Sequence, residues 1–431
     1  MLIPTLVIAA QLAAPAAAPS PHHAYGLTRP MPRLDGTIRV ASYNMLNYFD
    51  QVNDPSLEGK YDDFGTNPGP TSDARCRELA QAIRAIDADI IALQEVESKE
   101  ALEWFNTTYL KDMGYRYVAS QDVGYYRGCE QSLLSRFPIS ETRIWPQADL
   151  TKVKRFGGGW DEIPADAQPE QFAFQRSPLL ATVQTPDGYA LSLFILHHKA
   201  GRNRWRREAE ALQIVNYLAA MQKQDPDRNI LILGDFNAQP WDRAMQVYRE
   251  GGMVDAMNLR QDLEHGYASP LRVTHTSGRV IDFILLNHAA LGELVPGSGF
   301  VLGTSAQDYD WQNDPFPAGY ASDHYPIAID LVPREGQGAT VSAAPWPRTA
   351  TRTALGASPV KAADVRAPPQ RTPPATPAGT GGFVASKRSQ VFHTADCANG
   401  KRISETNRTA FKTAAAAQDA GKRPAKCCNP G

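Results

Sequence analysis

The chain has 431 residues, 42% hydrophobic and 21% charged, which excludes a chain disordered throughout, a collagen-like fibre and a multi-span membrane protein. Its length suits two or three domains, enough to bury a large core. The net charge of −2 hides an acidic body (residues 1–333, 29 Lys+Arg against 41 Asp+Glu) and a basic tail (334–431, 15 against 5), so the body suits cations and the tail an anionic partner.

Residues 2–14 are almost wholly apolar and are followed by an Ala/Pro stretch. The run is short for a bilayer span but has the apolar core and small-residue end of an export signal. We therefore expect a signal peptide over 1–18 and a secreted or periplasmic protein, although no Lys or Arg precedes the run. From Thr37 to about residue 333 the pattern is that of one large α/β unit. Apolar, β-branched runs predict strands at Ile38–Tyr43, Ile90–Leu93, Leu179–Val183, Leu191–Leu196, Ile230–Leu233, Val280–Leu285 and Pro326–Leu331. Cys76, Leu79, Ala80, Ile83 and Ile86 recur at helical spacing behind Ser72 or Asp73 as N-cap, and Arg206–Met221 reads as a second helix. This mixture favours a two-sheet α/β sandwich with outer helices over a pure βαβ repeat. Residues 334–382 hold eight prolines and almost no large apolar side chains, which predicts a disordered linker. Residues 383–431 regain order signals and carry three of the five cysteines.

Polar residues gather at the ends of the predicted strands. Asn44 closes the first (ASYNMLNYF), Glu95 the second (IIALQEVES), and Asp235 and Asn237 follow another (LILGDFNAQP). Asp323 and His324 precede the last (ASDHYP), His197 ends LSLFILHHKAG, and Asp282 lies inside RVIDFILLN. Taken singly, Asp235 and Asn237 could be turn residues before a helix starting near Pro240–Asp242, Glu95 a helix N-terminal charge, and Asp323–His324 a surface pair. Together they describe a site, because a carboxylate at a buried strand end needs a partner or a metal.

This set resembles the endonuclease/exonuclease/phosphatase superfamily, the fold of pancreatic deoxyribonuclease, from Thr37 to Val332, and the opening motif is most similar to its secreted bacterial nucleases. The resemblance implies a divalent-metal phosphodiesterase using Mg²⁺ or Mn²⁺. It assigns Glu95, Asn44 and Asp323 to the metal, Asp235 to the attacking water, and Asn237 and His324 to the phosphate. It makes His197 the proton donor to the leaving oxygen, with Asp282 its carboxylate partner, and places Arg176 (FQRSPLL) near the phosphate. His198 reads as a bystander. Leu46 stands where some nucleases of the superfamily have a metal-binding Asp, which favours a single-metal site. The resemblance further implies in-line attack of water that leaves 5′-phosphate and 3′-hydroxyl ends.

The substrate is less constrained. Lys199, Arg202, Arg204, Arg206 and Arg207 surround Trp205 just after His197, a candidate nucleic-acid edge. Lys152, Lys154 and Arg155 precede a Gly-rich stretch that reads as a loop over substrate. No long apolar hairpin suggests bilayer insertion or stable membrane association. The expectation is a DNA endonuclease. The alternatives are a phosphatase or phospholipid phosphodiesterase on the same fold, and a non-catalytic nucleic-acid-binding protein. The tail is similar to the small zinc-binding module of the Ada DNA-repair protein, which implies Zn²⁺ held by His393, Cys397, Cys428 and Cys427. Ala425 replaces the first Cys of the usual closing motif, so a disulfide from Cys397 to Cys427 or Cys428 stays open beside zinc. A Cys76–Cys129 disulfide is a further option, with Cys76 also suited to a core position.

Overall fold

The computed structural model describes residues 25–52, 70–123, 129–151, 153, 172–201, 203–260, 262–304, 321–334, 382–386, 391–395, 400–401, 403, 408–420 and 422–424. The expected signal peptide, residues 335–381 of the expected linker, the Gly-rich stretch with Lys152, Lys154 and Arg155, and Arg202, Cys397, Cys427 and Cys428 lie outside them. Contacts divide the chain into two units, residues 1–307 with 318–359, and residues 308–317 with 360–431.

Among the described residues, the first unit holds twelve strands in two six-stranded sheets. In chain order they are β1 (Ile38–Tyr48), β2 (Ile90–Val96), β3 (Tyr117–Ser120), β4 (Glu130–Ser135), β5 (Ile139–Ile144) and β6 (Leu179–Gln184), followed by β7 (Ala190–His197), β8 (Ile230–Asp235), β9 (Val254–Asp255), β10 (Asp282–Leu286), β11 (Phe300–Val301) and β12 (Ile327–Leu331). One sheet has the order β11-β12-β1-β2-β4-β3 and the other β5-β6-β7-β8-β10-β9. Strands β1, β2, β8 and β10 are buried along their whole length. That is why they read as continuous apolar runs rather than as alternation. Strand β1 packs over β8 and β10, and β2 over β7 and β8, so the inner faces of the sheets meet.

Helices close the outside. Helix α1 (Asp73–Ile86) is capped by Ser72, whose hydroxyl accepts from the Arg75 amide, and it stops at Asp87 in a left-handed conformation. With α2 (Lys99–Tyr109) it lays Leu79, Ile83, Leu102 and Phe105 on the outer face of the first sheet. Helix α3 (Arg204–Gln224) and α4 (Arg243–Glu250) cover the second sheet through Ile214, Leu218, Val247 and Tyr248. A short α5 (His288–Glu293) follows β10. Each fully buried side chain of this kind stabilises the fold by about 1.5–3 kcal/mol.

Cys76 and Cys129 are not bonded to each other. Their sulfurs lie 3.7 Å from the Thr71 carbonyl and 3.6 Å from Asn47 Oδ1. In the second unit, β13 (Phe383–Ser386), β14 (Val391–Thr394), β15 (Arg408–Phe411) and β16 (Arg423–Pro424) form a small sheet in the order β15-β13-β14-β16. Ala385 and Phe392 pack there against Ala417 of a six-residue helix, Ala414–Asp419. His393 lies on β14, and burial lowers its pKa.

Candidate active site

Strand pairing places the sequence-derived residues at one end of the two sheets. Parallel pairing of β7 with β8 sets His197 opposite Asp235, and antiparallel pairing of β8 with β10 sets Asp282 opposite Asp235. Three chemically active side chains thus stand abreast on adjacent strands. Gly234, just before Asp235, makes the alignment possible. Its φ is +140°, and a Cβ there would come 2.0 Å from the Leu196 carbonyl oxygen.

The first sheet contributes through two facing irregularities. In β1 the register shifts between Asn44 and Tyr48, and in β2 between Gln94 and Val96. Leu46, Asn47 and Glu95 there take left-handed conformations, with φ of 51°, 46° and 60°. Such bulges re-aim side chains and hold local strain. The Asn47 amide donates to Glu95 Oε2 at 2.8 Å, fixing the carboxylate, and Asn44 Oδ1 accepts from the Leu46 amide at 2.9 Å. Asn44 Nδ2 then reaches across to the second sheet and donates to Asp235 Oδ2 at 3.2 Å.

Asp235 is the hub. Its Oδ1 accepts from the Asn237 amide at 2.7 Å, and its Oδ2 from Asn237 Nδ2 at 3.0 Å. Asn237 is also left-handed (φ 46°), a conformation that Asn tolerates, and its Nδ2 is shared with the His198 carbonyl at 3.0 Å. Burial lifts the Asp235 pKa, His324 pulls it down, and Asp282 and Glu95 add to the rise, which brings it to about 7.

His324 sits just before β12, with its amide on Ser322 Oγ, whose hydroxyl in turn donates to the Asn44 carbonyl. Its Nδ1 lies 2.9 and 3.1 Å from the two oxygens of Asp282. Burial opposes a charge on His324, but Asp282 and Asp235 outweigh it and raise the pKa to about 10. The ring is therefore an imidazolium near neutral pH. Its Nε2 is 3.7 Å from Asp235 Oδ2 and 3.8 Å from Asp323 Oδ1, beyond hydrogen-bond reach of either, which leaves that proton for a substrate.

Two assignments change here. Asp282, which the sequence gives to His197 as partner, belongs to His324. And His197 Nε2 receives the Arg176 guanidinium, which has donors only, so this nitrogen is an acceptor rather than the proton donor expected for it. His197 Nε2 also lies 3.4 Å from Asp235 Oδ2 and 3.7 Å from Glu95 Oε1. Arg176 is buried beside it. His198 is a core residue, fixed by Glu210 at 2.9 Å and the Tyr248 hydroxyl at 2.8 Å.

The basic edge also changes. Trp205, Arg206 and Arg207 are buried. Arg206 pairs with Glu210 and donates to the Ala173 carbonyl, and Arg207 donates to the Lys199 and Gly201 carbonyls at 2.8 Å each. Arg204 alone of the described arginines in that cluster is exposed, at the start of α3.

Sequence reading missed His275. Its Nε2 lies 3.3 Å from Asp323 Oδ2, and its ring meets His324 edge-on with centroids 4.7 Å apart. Burial opposes ionisation of Asp323, yet the contact with His275 and the charge of His324 hold its carboxyl below the usual range. Thr274 was missed as well. Its hydroxyl accepts from the Ile281 and Asp282 amides at 3.0 Å, which orients the start of β10. The only signal for either was the segment THTSG shortly before Asp282.

The carboxylates of Asp235, Asp282 and Asp323 fit a hard divalent cation, and His324 would join them as a ligand only after losing a proton. The ligand atoms of Asp235, Asp282 and His324 lie within 4.8 Å of one another, as do those of His275, Asp323 and His324. Asp323 Oδ1 is buried without a hydrogen-bond partner among the described residues. Glu95, the first ligand expected from the sequence, lies beside His197, its Oε1 3.7 Å from Nε2.

The sequence matches the Endonuclease/Exonuclease/phosphatase family over residues 41–324. The chain belongs to that family, whose members hydrolyse phosphoester bonds and commonly use divalent metals. No curated protein is matched by its sequence. Among solved structures it is similar to the human Nocturnin catalytic domain with bound sulfate (18% identity, 70% of this chain, 96% of that chain, TM-score 0.45). It is also similar to D. rerio TDP2 complexed with a single-strand DNA product (16%, 69%, 99%, TM-score 0.43). A third is a mannosyl-6-phosphatase of Bacteroides thetaiotaomicron (17%, 68%, 99%, TM-score 0.42).

Proposed function

We propose that the protein is an exported, Mg²⁺- or Mn²⁺-dependent phosphodiesterase that cuts nucleic acid, DNA above all, internally. The observation that carries the hydrolytic part is Asp235, a buried carboxylate with a pKa near 7, facing an imidazolium held by Asp282. A carboxylate of that pKa accepts a proton from water at neutral pH far better than an ordinary one. Asn44 and Asn237 hold its orientation, and His324 Nε2 carries the proton and positive charge that a developing oxyanion requires. A cation held by carboxylates such as Glu95 and Asp323 would neutralise the phosphate and polarise it. Arg176, held against His197, is a buried cation at this end of the sheets that suits a phosphate oxygen. Attack in line with the 3′ oxygen leaving would give 5′-phosphate and 3′-hydroxyl ends.

The export signal rests on residues 1–18, and nucleic acid as substrate rests on the basic tail and on the exposed cation Arg204. For the second unit we propose that it holds DNA, its metal or disulfide set being His393, Cys397, Cys427 and Cys428.

The test is plasmid nicking by the purified chain with Mg²⁺, with EDTA, and with Asp235→Ala or His324→Ala. Metal-dependent nicking lost in both variants is the expected result. Release of inorganic phosphate from small phosphomonoesters with the plasmid intact would make the protein a phosphatase instead. Plasmid binding without any hydrolysis would make it a binding protein.

A further inference from the structure

A cleft of about 310 Å³ lies between the start of α3 and the segment entering α4. Arg204, Arg207 and Glu208 form one wall, and Trp241, Asp242 and Arg243 the other. Trp241 is 56% exposed, the largest side chain among the exposed apolar residues described. Several of its charged neighbours are already engaged. Arg207 donates to two backbone carbonyls, Arg243 reaches Glu208 at 3.5 Å, and Asp242 Oδ2 accepts from the Gln239 amide at 2.9 Å. Arg204 has no carboxylate partner among the described residues. The cleft therefore offers a flat aromatic face and an uncommitted guanidinium, the pair of groups that takes a base and a phosphate.

Its position ties it to the reaction. The two walls follow the loops that leave β7 and β8, whose last residues, His197 and Asp235, are paired in register. Trp241 is four residues past Asn237, so at most ~14 Å of extended chain separates them. Those loops are joined by the bond from Asn237 to the His198 carbonyl, and Arg207 fixes the first of them to α3 through the Lys199 and Gly201 carbonyls.

We propose that this cleft is a subsite for a nucleotide flanking the scissile phosphodiester. Trp241 stacks on its base and Arg204 meets its phosphate. The inference rests on the nuclease reading and sharpens it. A base can stack on Trp241 only when it has left its own neighbours, so the preferred substrate is single-stranded or locally unpaired.

The test compares a fluorescent single-stranded hexanucleotide with bis(p-nitrophenyl) phosphate, which has no base, using the full chain and Mn²⁺. The readout is the ratio of kcat/KM on the two substrates. Trp241→Ala should lower this ratio about tenfold, the loss of one stacked base, and Trp241→Phe should restore most of it. A ratio within twofold of the unaltered protein overturns the subsite. Should Trp241→Ala fail to show a cooperative thermal transition, Arg204→Ala, exposed at the start of α3, carries the same comparison. Unaltered protein that hydrolyses the small diester but leaves the hexanucleotide intact overturns the nuclease reading itself, before any variant is made.

Discussion

Asp282→Asn is the sharpest probe of the site. The substitution keeps the shape of the side chain and removes a negative charge 2.9 Å from His324 Nδ1. At an effective dielectric constant of about 20, that contact is worth roughly 5–6 kcal/mol to the imidazolium, or about four pH units. Asp235 and Asp323 remain near Nε2, at 3.7 and 3.8 Å, and retain part of the stabilisation. The His324 pKa should therefore fall from about 10 by at least ~2 pH units. The assay is a pH titration of labelled histidine rings by NMR in EDTA-treated protein, with His324→Gln to assign the resonance. Stability changes too. The raised His324 pKa contributes stability that is complete below the unfolded value of 6.5 and is lost as pH rises through about 10. The stability gap between the two proteins should accordingly be largest in acid and close toward pH 10. A His324 resonance titrating within about half a pH unit of its original position would refute the electrostatic account.

Four further outcomes are expected. Gly234→Ala, whose Cβ would meet the Leu196 carbonyl at 2.0 Å, should cost about 3 kcal/mol or more, measured by chemical denaturation. Leu218→Ala, at a buried position of α3 over the second sheet, should cost about 2–5 kcal/mol in the same measurement. Burial, with the Asp122 charge, raises the Glu130 pKa from 4.5 to about 8, so the folded chain keeps a proton that the unfolded chain releases. Stability should thus fall as pH rises from 4.5 to about 8, at up to roughly 1 kcal/mol per pH unit, and Glu130→Gln should flatten that slope. Mn²⁺ or Mg²⁺ should raise the melting temperature of the unaltered protein, and Asp323→Asn should weaken the effect.

The sequence exposes what is local and hides what is tertiary. All seven predicted strands exist, because an inner strand buried on both faces is an unbroken apolar run. Strand β4 escapes notice because Glu130, Gln131, Ser132 and Ser135 are polar yet buried. Strand β5 lies at a sheet edge with four exposed residues in a row, so no apolar stripe marks it. At the site, the residue types near strand ends are legible, but which carboxylate meets which histidine depends on β10 pairing with β8 and on the approach of His324 from the other sheet. The arginines after His197 mislead for a related reason. Arg206 reads as a surface charge until Glu210, one helical turn on, is seen to accept it inside the protein.

Strand β12 lies beside β1 although nearly 300 residues separate them, and the buried Arg39–Asp330 ion pair, 2.7 Å long, fastens the two. His324 and Asp323 arrive with that strand. A chain still emerging from the ribosome therefore lacks both the neighbour of its first strand and the group that charges its reactive centre. Chains cut short by aborted synthesis or proteolysis before residue 324 carry Asp235 and Glu95 but lack Asp323 and His324. The site is therefore completed by the last strand of its sheet to be made, so its assembly has to follow that of the first unit as a whole.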